Sequence, residues 1–103
     1  MPGNMSNLMK QAQRMQRQME EGQKELETKE FSASAGGGAV EVTINGKKEI
    51  TSIKLAEEIV DPEDIETLQD AIVAAANEAL RQADEANAEL MGKMTGGLGG
   101  FPF

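Results

Sequence analysis

The chain has no cysteine, histidine, tryptophan or tyrosine, and only three phenylalanines among its 103 residues. Without cysteine there is no disulfide framework, no thiolate zinc site and no thiol nucleophile. Without histidine there is no imidazole ligand and no side chain whose ordinary pKa lies near neutrality. Catalysis would be left with carboxylate or hydroxyl chemistry. Proteins that hold single strands without sequence preference stack bases on aromatic rings. Phe31, Phe101 and Phe103 do not make such a platform when the last two lie in a glycine-rich tail. No stretch approaches the roughly 20 apolar residues that span a bilayer, and Met1 to Lys10 lacks a signal peptide's basic region followed by an apolar run. The expectation is therefore no membrane partner, metal, cofactor or small-molecule substrate, in a chain whose lack of cysteine fits the cytosol.

What is present is acid, unevenly placed. The net charge is -8, from 18 acids and 10 bases. Residues 1–30 hold five of each, residues 31–55 three bases and two acids, and residues 56–103 two bases against eleven acids. Met1 to Met19 carries Lys10, Arg14 and Arg17 with no acid. The excess acid thus describes the C-terminal half. An apolar content of 39% with few large side chains predicts a thin core, so association between copies is expected.

Met5, Leu8, Ala12, Met15, Met19, Gly22 and Leu26 follow a 3-4-3-4 spacing, a heptad seam that predicts a helix over about residues 4–29. At 1.5 Å per residue such a helix is about 39 Å long, an arm rather than a buried core element. Phe31, Ala33 and Ala35 then alternate, as do Val40, Val42 and Ile44, predicting strands over about 31–35 and 39–45. Asn45-Gly46 signals a hairpin with a type I′ turn, returning through a strand over about 48–55. Ile50 lies out of phase with Ile53 and Leu55, which places a β-bulge near Thr51-Ser52. Asp61-Pro62-Glu63-Asp64 reads as an N-cap acid followed by Pro at the first helical position, opening a helix over about 62–92. Its apolar arc centres on Ile65, Ile72, Ala76, Ala79, Ala83 and Leu90, with Leu68, Val73 and Leu80 at the flanks. The expected fold class is α+β: one domain over residues 1–93 with a three-stranded antiparallel sheet between two long helices, and a flexible glycine-rich tail over 94–103.

Two local clusters do not carry chemistry. Glu57, Glu58, Asp61, Glu63 and Asp64 lack the alternating ligands and glycine of a calcium loop, and acids at a helix start are what the helix dipole favours. Gly36-Gly37-Gly38 precedes a strand rather than a helix and lacks the Lys-Ser/Thr ending of a phosphate-cradling loop. The basic residues are more informative. With Met5 at heptad position a, Lys10, Arg17 and Lys24 fall at f and Arg14 at c, a stripe opposite the apolar seam. Gln11, Gln13, Gln16, Gln18 and Gln23 add neutral donors for phosphate oxygens or base edges. An ordinary solvated face would show the same stripe. Arg81 has Glu78 and Glu85 within helical reach, whereas Lys47, Lys48 and Lys93 read as freer.

The order of these features resembles the YbaB/EbfC family of bacterial nucleoid-associated DNA-binding proteins. The resemblance rests on Asn7-Leu8-Met9-Lys10-Gln11-Ala12-Gln13, Met15-Gln16, the glycines at 36–38 with Val40, Asn45-Gly46, Asp61-Pro62-Glu63-Asp64, Ala75-Ala76-Asn77-Glu78-Ala79 and Met94-Thr95-Gly96-Gly97. It implies a tweezer-like homodimer that binds double-stranded DNA with little sequence preference through its helical arms, with roles in nucleoid organisation and gene regulation in the cytoplasm. The family places DNA contacts on the arms, where Lys10 is the matching base. Arg14, Arg17 and Lys24 join it from the stripe. Two other classes stay open: a Met-rich helical protein–protein interaction module with no DNA role, and, far behind, a carboxylate hydrolase, for which no pocket-forming sequence is evident.

Overall fold

The computed structural model describes residues 2–96. Helix α1 (Pro2–Thr28) leads into strands β1 (Glu30–Ala35), β2 (Val40–Asn45) and β3 (Ile50–Leu55); a 3-10 turn (Glu57–Ile59) then leads to helix α2 (Ile65–Gly96). The strands form one antiparallel sheet in the order β1-β2-β3. Met94 to Gly96, expected in the tail, continue α2. The rest of the expected tail, 97–103, lies outside the described residues. Among the described residues no helix is long and apolar enough to cross a membrane.

The bulge sits where the phase change places it. Thr43 pairs with Ser52 and Ile44 with Ile50, so Thr51 is the extra residue on β3. Its hydroxyl donates to Thr43 O at 3.3 Å. The insertion brings Ile50, Ile53 and Leu55 opposite Ile44, Val42 and Val40, and directly opposed residues share a face of the sheet.

The hairpin differs from the expected type I′ turn. Gly46 and Lys47 form the turn, closed by Lys48 N–H donating to Asn45 O at 3.0 Å, and the left-handed residue is Lys48 at φ 65. This is a three-residue loop ending in a left-handed residue. Asn45 Oδ1 accepts the N–H groups of Lys47 at 2.9 Å and Glu49 at 3.1 Å, which fixes the loop from its first residue. The glycine is required for another reason: a Cβ on Gly46 would overlap the Leu26 carbonyl and lie 2.9 Å from Glu27 Cα. The end of α1 rests directly on the turn.

The start of α2 also shifts. Asp61 Oδ1 accepts from Glu63 N–H at 2.9 Å, and Asp64 N–H donates to Asp61 O at 2.9 Å, closing a separate turn. Asp64 is then the cap, its carboxylate accepting from Thr67 N–H at 3.3 Å and Thr67 Oγ1 at 2.6 Å. The helix therefore begins at Ile65 rather than Pro62.

Packing follows from an alanine ridge. Ala71, Ala75, Ala79 and Ala83 are buried against Val40, Val42 and Ile44, with Phe31, Ala33, Ala35, Leu68, Ile72 and Leu80 half-buried around them. The buried stripe keeps Ala79 and Ala83 of the expected arc but takes Ala71 and Ala75 in place of Ile72 and Ala76, which are half-buried beside it, and Ile65 and Val73 are exposed. Small side chains let the helix backbone approach the sheet, and α2 packs chiefly over β1 and β2. Burying each of Val40, Val42 and Ile44 contributes about 1.5–3 kcal/mol. Beyond the helix's edge, Ile50, Ile53 and Leu55 remain 54%, 45% and 42% exposed on the same face, an uncovered apolar shelf.

Candidate functional site

Helix α1 spans 27 residues and enters the body at the hairpin end of the sheet, where α2 leaves it. The two helices are therefore oppositely directed, and they touch where Gly22 faces Leu90: a Cβ on Gly22 would lie 2.8 Å from Leu90 Cδ1. Around this contact lies an open groove of about 420 Å³ lined by Gly22, Leu26, Ala86 and Leu90 together with Glu25, Lys29, Glu89 and Lys93. Counting outward from the contact, α2 ends about 9 Å further on at the usual helical rise, alongside roughly residue 16 of α1. Burial changes at that level. Met15, Met19, Gly22 and Leu26 of the seam are half-buried, whereas Met5, Leu8 and Ala12 are exposed. Among the described residues, the first half of α1 is thus an arm that projects past the others, in a molecule 76 Å long and 15 Å thick.

The structure brings three of the four expected basic residues together. Lys10, Arg14 and Arg17, with Gln13, surround one shallow hollow of about 200 Å³ on the arm, and Gln13, Gln16, Arg17 and Glu20 bound the adjoining one. Helical spacing of three and four places the three cations on neighbouring turns of one face. Lys24 is not in this group. It is exposed further along α1, at the level of Glu20, Glu21, Glu25 and Glu27. Among the described residues, none of Lys10, Arg14, Arg17 and Lys24 has an ion-pair partner.

Elsewhere cations are spent on the protein itself. Arg81 donates Nε–H and Nη2–H to Glu78 at 3.0 and 2.6 Å and Nη1–H to Glu85 at 3.0 Å. This hold keeps the Glu78 carboxyl below its ordinary range and the guanidinium above its own. Lys48, which reads as free from sequence, is paired with Asp84 of α2. Lys54 lies 3.9 Å from Glu41. Among the described residues no group of three or more acids is placed to hold a metal ion. What the arm offers is three unpaired cations and neutral amides on a convex, solvated helix, which suits a polyanion's surface rather than a small substrate.

The contacts made by Gly22 and Gly46 are absent from any reading of spacing, although a glycine at a seam position is the signal for one of them.

A family model described as the YbaB/EbfC DNA-binding family matches residues 1–98. A nucleoid-associated protein of Agathobacter rectalis is 71% identical over 103 residues, covering 100% of this chain and 91% of that one. One from Lachnoclostridium phytofermentans is 63% identical over 101 residues, covering 98% and 85%. Among solved structures, an uncharacterized protein from Helicobacter pylori superposes with a TM-score of 0.75 at 22% identity, covering 87% of this chain and 95% of that chain. That likeness is one of fold.

Proposed function

Because this chain belongs to the YbaB/EbfC DNA-binding family, we propose that it binds double-stranded DNA as a homodimer through phosphate contacts from its arms, and so acts in nucleoid organisation and gene regulation in the bacterial cytoplasm. The observation that carries this reading is the grouping of Lys10, Arg14 and Arg17 on one face of an arm that has no acid before Glu20 and, among the described residues, no ion-pair partner for those charges. Lys24 plays a lesser part, since neighbouring acids offset its field. Homodimerisation is supported by the shelf of Ile50, Ile53 and Leu55, three large apolar side chains on an edge strand that stay about half exposed among the described residues.

Backbone contact makes affinity salt-dependent. With about four phosphates neutralised per subunit, the slope of log K against log salt is about -7 for the dimer. Fluorescence anisotropy with a labelled duplex across a salt series measures it. Replacing Lys10, Arg14 and Arg17 together by Glu removes binding while circular dichroism and oligomer mass stay unchanged. Affinity that does not vary with salt overturns the reading.

A second reading, a protein–protein interaction module, is favoured by one observation: Met5, Leu8 and Met9 are 70%, 64% and 63% exposed. It requires duplex affinity no better than an acidic protein's.

A further inference from the structure

The exposed part of the α1 seam is unpartnered for a geometric reason. Helix α2 ends at Gly96, so nothing from the described chain reaches Met5, Leu8 and Ala12. Its flanks are as informative as its core. With Met5 at a, the e and g positions beside this stretch are Met9, Gln11, Gln16 and Gln18, all uncharged. In coiled coils these positions normally carry the charges that select a partner. Lys10, Arg14 and Arg17 lie at f and c, on the far side from the seam. A basic helix would ordinarily repel its own copy, but this one has cleared every charge from the surface that a copy would meet.

We propose that the arm is a homotypic docking surface, on which the Met5-Leu8-Ala12-Met15 stripe of one copy packs antiparallel against the same stripe of another. Antiparallel pairing centres on Lys10, setting Leu8 against Ala12 and Met5 against Met15 of the other copy, large against small at the middle and two adaptable thioethers at each end. It also sends the two acidic bodies to opposite ends of the pair, whereas parallel pairing would set side by side the segments that hold eleven of the acids. Two heptads make a weak zipper on their own, which suits a contact formed when DNA or a second arm has raised the local concentration. Paired arms then carry Lys10, Arg14 and Arg17 of the two copies on opposite outer sides, so one pair touches two duplexes. That last consequence rests on the DNA reading above; the pairing itself does not.

The absence of native cysteine makes the pairing directly testable, since two cysteines whose Cα atoms lie more than about 7 Å apart cannot be bridged. Full-length Leu8→Cys and Ala12→Cys variants are mixed and oxidised, with and without duplex DNA. A Leu8–Ala12 heterodisulfide is expected, several-fold more abundant than the disulfide of a Lys10→Cys control at the outer face. Equal yields overturn the proposal, as does a disulfide forming instead within one chain between Leu8→Cys and Leu98→Cys, which would assign the stripe to residues 97–103. In the second arm of the test, a bead-bound duplex captures a labelled second duplex through the protein. Leu8→Gln with Met5→Gln, neutral changes at exposed positions, lowers capture at least about tenfold while single-duplex affinity stays within about twofold. Undiminished capture overturns the proposal. Loss of single-duplex binding in the unmodified protein would instead defeat the DNA reading, leaving the crosslink to decide the pairing.

Discussion

Replacing Gly46 by Ala tests how the arm is aimed. The new Cβ would lie 2.9 Å from Glu27 Cα and would overlap the Leu26 carbonyl, and every atom it meets is backbone, so no side chain can swing away. A comfortable carbon–carbon contact is roughly 3.8 Å, so the turn and the end of α1 must separate by about 0.9 Å at Glu27 and more at Leu26. The nearest fulcrum is the Gly22–Leu90 contact, about 7.5 Å back along the helix from Glu27 at 1.5 Å per residue. That displacement tilts α1 by about 7°, and Met5, about 25 Å beyond the fulcrum, moves by about 3 Å. Stability falls by about 1–3 kcal/mol, the usual cost of overpacking. Residual dipolar couplings of backbone N–H groups read the angle between α1 and the sheet, and urea denaturation reads the stability. A tilt below about 3° with an unchanged denaturation midpoint would refute the claim that the hairpin turn sets the direction of the arm.

At Gly92 a Cβ meets nothing within 4 Å and the residue is helical, so Gly92→Ala raises stability by about 0.4–1 kcal/mol; a fall in the urea midpoint contradicts that. Asp64→Ala costs about 0.5–2 kcal/mol through loss of the α2 cap while Asp64→Asn keeps most of it, and equal losses in the two variants would show that Asp64 does not cap through its side-chain oxygen. Ile44, fully buried, loses about 2–5 kcal/mol as Ala and about 0.5–1.5 as Val, both read by denaturation. The Glu78 carboxyl is lowered by its hydrogen bond from Arg81, so its contribution to stability is complete above the unfolded glutamate pKa and fades as pH falls through the lower folded value. NMR titration of the Glu78 carboxyl should give a midpoint below 4.5 that rises in Arg81→Met; a midpoint at or above 4.5 in the unmodified protein goes against it.

The periodicities of the sequence carried the architecture because each element buries one face, and burial writes a period into the chain. The heptad seam of α1, the alternation of Val40, Val42 and Ile44, and the phase slip at Thr51 all record a face turned inward. Where two parts of the chain meet, local spacing was a poor guide. Asn45-Gly46 pointed to a type I′ turn, but Gly46 makes room for Leu26 and the positive φ passes to Lys48. Asp61 and Asp64 are both good caps by composition, and only the turn closed through the Asp61 carbonyl decides between them. Ile65 belonged to the arc on a helical wheel, yet the wheel does not know where the sheet stops. Likewise the stripe of Lys10, Arg14, Arg17 and Lys24 was legible as heptad positions, but its division at Arg17 depends on where the acids begin and where α2 ends.

The slender core has a consequence for the life of the chain in a cell. Among the described residues only Val40, Val42 and Ile44 are both large and fully enclosed, and in the proposed homodimer the shelf beside them is sheltered by the partner copy. Folding and association then share one equilibrium, and mass action makes the apparent melting temperature climb with protein concentration. Abundance becomes a quality filter. A cell that makes many copies keeps them folded and resistant to proteases, while a scarce copy spends longer open and is cleared, so the protein's own level sets how much of it survives.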